Sequence, residues 1–235
     1  MDRAALVTGG SSGIGLAIAR MLKTEGFGLT LVSRRPEKVE AAAEELGATA
    51  LAADVGNAEE CERLVREHRE RFGRLDVLVN SAGIGIAGRV EDLPAKHFDL
   101  QLGVNLRGLF LVTQAAIPLL RETRGWIVNL ASIAGTLPTP GLATYGATKA
   151  AVIALTRSLN EELDADGVRA VALCPGFVDT PMAQWSGIAG DEMIQPEDCA
   201  EVVRMLLRLS PRARVPQVVI ERVGSTAGDV PLGGP

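Results

Sequence analysis

The chain has 235 residues, of which 47% are hydrophobic and 3% aromatic, and it carries a formal net charge of −5. This negative charge, without any run of basic residues, argues against a nucleic-acid-binding surface. The three cysteines lie far apart and the N-terminus leads directly into an apolar strand pattern. We therefore expect a cytoplasmic protein with no metal site, signal peptide or membrane span, and with an aliphatic core.

Short apolar runs alternate with longer helical patterns along nearly the whole chain. The apolar runs predict strands over residues 4–8, 28–33, 49–53, 75–80, 126–132, 169–175 and 217–220. The patterns between them predict helices over residues 13–25, 36–46, 58–72, 94–120, 145–166 and 196–209. Such alternation indicates βαβ units, and so a Rossmann-type, doubly wound α/β fold whose parallel sheet has helices on both faces. We predict a single domain over residues 1–223 and an irregular tail, rich in Gly and Pro, over residues 224–235.

A glycine-rich segment follows the first predicted strand. Glycines at this position allow a tight turn, close approach of the backbone to a pyrophosphate, and close packing of helix on strand. The N–H groups of the helix that starts near Gly13 would then face the phosphates. We predict a dinucleotide site here, with contacts from Gly9, Ser11, Ser12, Gly13, Ile14 and Gly15.

The same segment also matches G-x-S-x-G, the pattern in which α/β-hydrolases hold a nucleophilic serine. That chemistry needs a histidine in a suitable loop. The only histidines, His68 and His97, both lie inside predicted charged helices. The hydrolase pattern would also normally follow several strands rather than the first. We therefore reject a hydrolase.

The end of the second predicted strand indicates which nucleotide binds. A ribose 2′-hydroxyl usually meets an Asp or Glu about 20 residues beyond the glycines, whereas a 2′-phosphate meets an Arg. Here Ser33, Arg34 and Arg35 occupy this position, and no acidic residue occurs before Glu37. Unless the two arginines are only surface residues, they favour NADP(H) over NAD(H).

Two further strand ends are expected to contribute to the nucleotide site. Asp54 and Val55 follow the third predicted strand, where they can contact the adenine. Asn80, Ala82 and Gly83 end or follow the fourth, where the backbone can approach the adenosine ribose.

The single tyrosine of the chain, Tyr145, precedes Lys149 by one helical turn, and Ser132 ends the fifth predicted strand. Residues four apart on a helix lie on the same face. A cation roughly 5 Å away would lower the phenol pKa, normally about 10, by roughly two units. The phenol could then exchange a proton with an alcohol or carbonyl, whose oxygen the Ser132 hydroxyl could hold. The pattern predicts proton transfer coupled to making or breaking a carbonyl.

Taken together, these motifs resemble the short-chain dehydrogenase/reductase family in its compact, single-domain branch. The resemblance runs from residue 8 to residue 180 and rests on the motifs TGxxxGxG, Asp54-Val55, Asn80-Ser81-Ala82-Gly83, Asn105, Ser132, Tyr145-x-x-x-Lys149 and Pro175-Gly176-Phe177-Val178-Asp179-Thr180. It implies a homo-oligomer, dimer or tetramer, that interconverts a ketone or aldehyde with an alcohol by hydride transfer with NADP(H).

The resemblance also implies a role for each active-site residue. Tyr145 would be the acid/base, and Ser132 would hold the carbonyl oxygen. Lys149 would bind the nicotinamide ribose and lower the pKa of Tyr145, and Asn105 would hold a water that relays protons. The residues expected to line the nicotinamide amide are Pro175, Gly176, Val178 and Thr180.

The chain departs from the family pattern in ways that affect these expectations. Ser81 stands where the family most often has Asn, and Ser12 stands where many NADP-preferring relatives carry Arg or Lys. The last strand is followed by Glu221-Arg222-Val223-Gly224 rather than Asp-Gly-Gly, which puts the usual tetramer contacts in question.

The substrate side is expected to be mainly apolar, as small-molecule pockets usually are. The residues expected to face the substrate are Ile84, Ile86, Ile133, Leu137, Phe177, Met182, Trp185 and Met193. Residues 181–195, which form the substrate lid in relatives, contain no Arg or Lys. We expect an uncharged or weakly polar ketone or aldehyde as substrate.

Two other functions stay open at this point. A non-catalytic NADP-binding sensor could use the same fold, although it would have no need for the four residues Asn105, Ser132, Tyr145 and Lys149 together. A lyase or epimerase could also use it, although relatives of that kind are usually longer and carry a substrate domain.

Overall fold

The computed structural model describes residues 2–224, which form an α/β fold around one sheet. The strands are β1 (Ala4–Thr8), β2 (Gly28–Ser33), β3 (Thr49–Ala52), β4 (Val77–Asn80), β5 (Trp126–Leu130), β6 (Arg169–Pro175) and β7 (Gln217–Ile220). The helices are α1 (Gly13–Thr24), α2 (Pro36–Leu46), α3 (Ala58–Phe72), α4 (Ala95–Leu102), α5 (Leu109–Thr123), α6 (Ala143–Glu162) and α7 (Pro196–Leu207).

The sheet has seven strands in the order β3-β2-β1-β4-β5-β6-β7, and all neighbouring pairs are parallel. This order confirms the predicted doubly wound arrangement. The chain passes from β3 across β1 to β4, so the strand order reverses there and leaves a crevice at the carboxyl ends of these strands. Thr8 at the end of β1 pairs with both Val32 and Asn80, which brings three strand ends to one edge.

The aliphatic side chains pack between the sheet and a layer of helices on each of its faces. On one face α1, α2 and α7 contribute Ile18, Val39 and Val203 to one core cluster. On the other face α3 and α5 contribute Leu64 and Val112 to a second cluster. Strands β1, β4 and β5 are buried along their whole length, as expected for a parallel sheet covered on both sides.

The prediction of one continuous helix over residues 94–120 is wrong, because the structure has three successive helical segments there. The structure has α4, then a π-helical segment (Gly103–Gly108), and then α5, which continues past Pro118 to Thr123. The hydrophobic pattern does not distinguish an α-helix from a short π-helical segment, because the π-helical hydrogen bonds span only one residue more than the α-helical ones. This wider segment carries Asn105.

Other predicted ends differ by a few residues. β5 stops at Leu130, because Ser132 begins a 3-10 turn (Ile133–Gly135) rather than ending the strand. α6 begins at Ala143 and ends at Glu162, followed by a separate 3-10 turn that Gly167 closes with a φ of 73°. The predicted tail lies outside the described residues, apart from Gly224.

One helical stretch, Ala95–Thr123, is long and apolar enough to cross a membrane by length and composition alone. Its inner face packs into the second core cluster through Val104, Val112 and Leu119. The stretch is therefore interpreted as a core helix of the α/β fold.

Candidate active site

One cavity of about 210 Å³ lies at the carboxyl ends of the strands. Its walls come from the ends of β4, β5 and β6, the first turn of α1, the start of α6 and residues that follow β6. The topology therefore brings together segments that are far apart in sequence. Ser132, Tyr145 and Lys149 all line this cavity.

The glycine loop between β1 and α1 is shaped for close approach of another group to its backbone. Gly9 and Gly13 have φ values of 67° and 51°, which side chains rarely adopt. A Cβ on Gly15 would lie 2.4 Å from the Gly9 carbonyl oxygen. Ser12 precedes α1, and its side chain makes no capping hydrogen bond to the first N–H groups of the helix. This loop fits a pyrophosphate, and Ile14 beside it lines the cavity.

Thr8 has a structural role that the sequence motifs alone did not reveal. Its Oγ1 accepts hydrogen bonds from the backbone N–H groups of Ser81 and Ala82, at 3.2 Å each. Thr8 thereby joins the loop after β1 to the loop after β4. A buried hydroxyl at a strand end, directly before a glycine loop, was the available signal.

Ser33, Arg34 and Arg35 lie at the carboxyl end of β2, as predicted. Ser33 Oγ accepts a hydrogen bond from the Arg35 N–H at 3.4 Å. Both arginine side chains are exposed, and neither forms an ion pair with any residue that the structure describes. Two uncompensated guanidinium groups at this position fit a phosphate on the adenosine ribose.

Asp54 and Val55 follow β3 at the same edge of the sheet. Asp54 is exposed, and its Oδ1 accepts a hydrogen bond from the Gly56 N–H at 2.9 Å. Val55 is buried, and its carbonyl accepts a hydrogen bond from the Cys61 thiol. The Asp54 side chain is therefore held in a turn beside the apolar Val55, an arrangement that suits an adenine.

The side chain of Asn80 is buried in the sheet layer, and the predicted approach of the backbone of residues 80–83 to the adenosine ribose stays a prediction. It is 2% exposed, and its Nδ2 donates to Thr113 Oγ1 and Asn129 Oδ1, both at 2.9 Å. Asn80 thus joins β4 to α5 and β5. A side chain that points into the sheet layer is not distinguishable in sequence from one that points out.

Ala82 and Gly83 follow Asn80 in the loop after β4. Ala82 is held by Thr8, and only Gly83 of this pair lines the cavity. A Cβ on Gly83 would lie 3.4 Å from Asn105 Oδ1 and 3.6 Å from Lys149 Nζ. Gly83 therefore lets the loop lie directly against two predicted catalytic residues.

α6 brings Tyr145 and Lys149 to the same wall of the cavity. Lys149 Nζ lies 5.6 Å from the centre of the Tyr145 ring and donates a 2.6 Å hydrogen bond to the Leu130 carbonyl. Ser132 faces them from the end of β5, where its Oγ also accepts from the Ala134 N–H at 3.2 Å. Ser132 and Tyr145, which are predicted to act on one oxygen, therefore line the same cavity as Lys149, which is predicted to bind the nicotinamide ribose.

The pKa of Tyr145 moves in the opposite direction from the one predicted. Burial raises it, and a hydrogen bond with Ser132 lowers it by less. Burial also lowers the pKa of Lys149 to about 8. The prediction counted the attraction of the Lys149 charge but not the loss of hydration, which disfavours the phenolate. Tyr145 is consequently a protonated phenol at neutral pH.

Asn105 is 1% exposed, and its amide is bonded within the protein. Its Oδ1 accepts from the Ile84 N–H at 2.8 Å, and its Nδ2 donates to the Ile84 carbonyl at 2.8 Å and to Thr148 Oγ1 at 3.2 Å. The amide thus attaches the loop after β4 to the π-helical segment and α6. A relay water at Asn105 stays a prediction.

The segment after β6 forms the wall predicted to hold the nicotinamide amide. The cavity-lining residues of this segment include Pro175, Gly176, Val178 and Thr180. A Cβ on Gly13 would lie 3.0 Å from Thr180 Cγ2. This wall is therefore in contact with the glycine loop, as a dinucleotide that spans both would require.

The substrate side of the cavity is apolar, but its lining differs in part from the prediction. Five predicted residues do line it, namely Ile133, Leu137, Phe177, Met182 and Trp185. The rings of Phe177 and Trp185 meet edge to face at 6.0 Å. Ile84, Ile86 and Met193 do not line it, and Gly85 takes part instead. Ile84 packs against the second core cluster and Met193 is 8% exposed.

Arg222 is a cavity residue that the sequence analysis did not identify. It follows β7 and its side chain is 16% exposed, with Nη1 4.0 Å from Glu192 Oε2. The prediction of a substrate pocket without positive charges was based only on residues 181–195, and Arg222 lies outside this segment. The position of Arg222, two residues after the last strand, was the available signal, because strand carboxyl ends meet at this edge.

The two histidines do not contribute to the site. His68 is fully buried in α3, where Nδ1 lies 2.8 Å from Thr30 Oγ1 and Nε2 lies 3.0 Å from the Arg74 carbonyl. His97 lies in α4 and does not line the cavity. Within residues 2–224, no group of three His, Cys, Asp or Glu side chains could hold a metal ion.

Comparisons of sequence agree with this geometry. A family profile described as short chain dehydrogenase matches residues 3–188. An uncharacterized oxidoreductase of Staphylococcus epidermidis is 36% identical over 225 residues, which cover 94% of this chain and 98% of the relative. One of Staphylococcus aureus is 34% identical over 226 residues, with the same coverage of 94% and 98%.

Solved structures are similar over almost the whole chain. An alcohol dehydrogenase from the archaeon Thermococcus sibiricus, complexed with 5-hydroxy-NADP, superposes with a TM-score of 0.88 at 34% identity, covering 95% of this chain and 98% of that one. A 3-ketoacyl-(acyl-carrier-protein) reductase from Brucella melitensis, complexed with NADH, has a TM-score of 0.86 at 31% identity, covering 94% and 96%.

Proposed function

The chain belongs to the short-chain dehydrogenase/reductase family, and we propose that it is an NADP(H)-dependent oxidoreductase that interconverts a ketone or aldehyde with an alcohol. The observation that carries the proposal is the meeting of Ser132, Tyr145 and Lys149 in one cavity, next to a glycine loop shaped for a pyrophosphate. When bound, the nicotinamide would supply or accept the hydride.

Tyr145 would supply the proton in the reductive direction. Its pKa is raised by burial, so the hydroxyl is protonated at neutral pH and can donate to a carbonyl oxygen that becomes an alkoxide. Ser132, which is hydrogen-bonded to Tyr145, would donate to the same oxygen and stabilise its developing charge. The oxidative direction would need the phenolate and should therefore be favoured at higher pH.

Lys149 would carry a positive charge to the cofactor side of the cavity. Its ammonium lies near Gly83 and the Tyr145 ring, where it can meet the nicotinamide ribose. Because burial lowers its pKa to about 8, the ammonium is easily deprotonated and can return a proton to Tyr145. Asn105 holds the loop beside Lys149, and we propose that this region contains the proton relay.

We propose a preference for NADP(H) over NAD(H). One similar structure is complexed with 5-hydroxy-NADP and another with NADH, so the preference must come from this chain's own residues. Arg34 and Arg35 supply two exposed positive charges at the end of β2. An acidic side chain, which would repel a 2′-phosphate, is absent from residues 33–36.

The proposed substrate is an uncharged or weakly polar ketone or aldehyde. Phe177, Met182 and Trp185 form an apolar, partly aromatic wall beside Tyr145. The Arg222 guanidinium in the same wall lies near the Glu192 carboxylate, which opposes its charge. A clear preference for phosphorylated or polyanionic compounds in a carbonyl panel would contradict this substrate class.

We also propose that the protein is cytoplasmic and forms a homo-oligomer. Phe98 and Phe110 are each 45% exposed and Leu102 is 36% exposed, all on the Ala95–Thr123 stretch. Small exposed residues of α6 include Ala143, Ala147, Ala150 and Ala154, which recur at helical spacing. Exposed phenylalanines beside a helix of small residues favour close helix packing against a second copy.

The experiment that tests the function is a parallel titration with NADPH and NADH, followed by oxidation kinetics with a panel of ketones and aldehydes. We expect tight NADPH binding and oxidation of NADPH that depends on an added carbonyl. Tight NADPH binding with no turnover on any carbonyl would instead support a non-catalytic sensor. A product that is neither oxidised nor reduced would indicate lyase or epimerase chemistry.

A further inference from the structure

Residues 84–88 form the loop after β4, which reaches the cavity at Gly85, and every second residue of this loop donates its backbone N–H to a hydrogen bond. The Ile84 N–H donates to Asn105 Oδ1 at 2.8 Å, and the Ile86 N–H donates to Gln101 Oε1 at 3.0 Å. The Gly88 N–H donates to the Gly141 carbonyl at 2.8 Å. The loop is thus anchored at three alternate positions.

In an extended chain, the N–H and C=O of neighbouring residues point to opposite sides. The alternate bonding of Ile84 and Ile86 to the side chains of Asn105 and Gln101 indicates an extended loop, in which the N–H and C=O of Gly85 point away from these two amides. Gly85 is exposed and lines the cavity, and within the part of the chain that the structure describes its N–H and C=O make no hydrogen bond. A Cβ on Gly85 would lie 3.8 Å from the Tyr145 ring and 3.8 Å from Met182 Sδ.

Gln101 is an unusual residue for its position. It is completely buried in α4, one turn before Asn105. Its Nε2 is buried and has no hydrogen-bond partner among the described residues. An unsatisfied buried donor destabilises a fold, whereas an apolar side chain of the same length would avoid this cost. The bond from Ile86 to Oε1 is the one interaction that an apolar residue could not replace.

We propose that Gln101 is a positioning residue of the active site: its Oε1 holds Ile86, so that Gly85 presents its backbone N–H and C=O to the substrate beside Tyr145. This inference rests on the proposed function, because it assigns the substrate to the side of Tyr145 that Gly85 occupies. Asn105 and Gln101, one turn apart, then act as two amides of one helix that hold adjacent points of the same loop.

The test compares two substitutions at one site. Gln101→Met keeps the length of the side chain but removes the acceptor, whereas Gln101→Glu, whose carboxyl group burial keeps protonated, retains a carbonyl oxygen as acceptor for the Ile86 N–H. Gln114→Met, an exposed position on α5, is the matched control for the same chemical change. Thermal unfolding of each variant shows that it is folded before it is compared.

The first measurement is amide hydrogen exchange of residues 84–88 in the protein alone. We expect exchange at least about tenfold faster in Gln101→Met, because the loop can open without breaking that bond. We expect nearly wild-type exchange in Gln101→Glu and in Gln114→Met. Unchanged exchange in Gln101→Met would overturn the proposal.

The second measurement is steady-state kinetics with the best carbonyl substrate from the panel. Gln101→Met should raise KM about fivefold, as expected for loss of one positioning hydrogen bond, with the Kd for NADPH unchanged. Gln101→Glu should restore a lower KM. If NADPH binding and substrate binding were weakened equally in Gln101→Met and Gln101→Glu, Gln101 would have only a structural role and the proposal would be overturned. Absence of turnover in the wild-type protein would contradict the proposed function, while the exchange comparison would still decide whether Gln101 holds the loop.

Discussion

Burial of Tyr145 and its hydrogen bond with Ser132 act on the pKa of the phenol in opposite directions. Burial raises its pKa, which keeps the proton on the phenol, and the cation of Lys149 lies 5.6 Å from its ring. Because Ser132 is hydrogen-bonded to the same phenol, a substrate oxygen that enters between them would meet two donors. At the scale of single residues, this arrangement supports the proposed reduction of a carbonyl at neutral pH.

Tyr145→Phe removes only the hydroxyl that is proposed to donate the proton. We expect turnover to fall by at least about a hundredfold, since general acid catalysis typically contributes that much or more, while NADPH binds nearly as in the wild type. The two values can be compared by carbonyl-dependent NADPH oxidation and by direct titration. Retained turnover would remove the phenol from its assigned role.

A second prediction for a single residue concerns His68 and the pH dependence of the free energy of unfolding, rather than activity. A carbonyl can only accept, so Nε2 donates to the Arg74 carbonyl and Nδ1 accepts from Thr30. Burial lowers the pKa of His68 from 6.5 to about 4. Between these pH values the unfolded chain binds more protons, so the stability present above pH 6.5 is lost as the pH falls toward 4.

The size of this loss is about 3 kcal/mol over the full window, by the linkage between pKa and stability. Urea unfolding at pH 7 and at pH 5 should therefore show a smaller pH effect in His68→Gln than in the wild type. His97→Gln, in α4, serves as the control for the substitution itself. An equal pH effect in His68→Gln and wild type would contradict the assignment.

The ends of secondary-structure elements carry most of the proposed cofactor site. The end of β1 and start of α1 present backbone N–H groups, and the end of β2 presents Arg34 and Arg35. The π-helical segment between α4 and α5 interrupts an otherwise apolar helix and carries Asn105, which ties Ile84 to Thr148. A wider turn in this helix therefore attaches the loop after β4 to α6.

The prediction for secondary-structure elements concerns cofactor preference and the two arginines at the end of β2. Arg34→Ala with Arg35→Ala should raise the Kd for NADPH more than about tenfold, as expected for the loss of hydrogen bonds between charged groups. The Kd for NADH should change little. Arg66→Ala with Arg69→Ala, two exposed arginines of α3, is the matched control. An equal loss for both cofactors would show that Arg34 and Arg35 do not contact the 2′-phosphate.

At the scale of the whole molecule, the Ala95–Thr123 stretch has an apolar face that other parts of the described chain leave exposed, with Phe98 and Phe110 each 45% exposed. Phe98→Asp with Phe110→Asp should shift the protein toward monomer, because it would bury charges in the proposed interface. Light scattering after size exclusion measures the change. Val90→Asp, at a residue that is 71% exposed on a different segment, should leave the oligomer intact. A wild-type monomer, or an oligomer that survives the double substitution, would contradict this interface.

The local sequence determined most of the fold and the chemistry of the site. Alternating apolar runs and helical patterns specified the parallel sheet, because both patterns follow directly from strand and helix geometry. The glycine loop and the pair Tyr145 and Lys149 were readable for the same reason: their spacing within one element already defines their relative position.

Only the tertiary structure decided matters that depend on direction and burial. It turned Asn80 into the sheet layer, placed Gly85 rather than Ile84 and Ile86 on the cavity, and brought Arg222 to its wall. It also raised the pKa of Tyr145 instead of lowering it, because desolvation depends on every segment packed around the phenol. These properties arise from residues that are distant in sequence, and no local pattern encodes them.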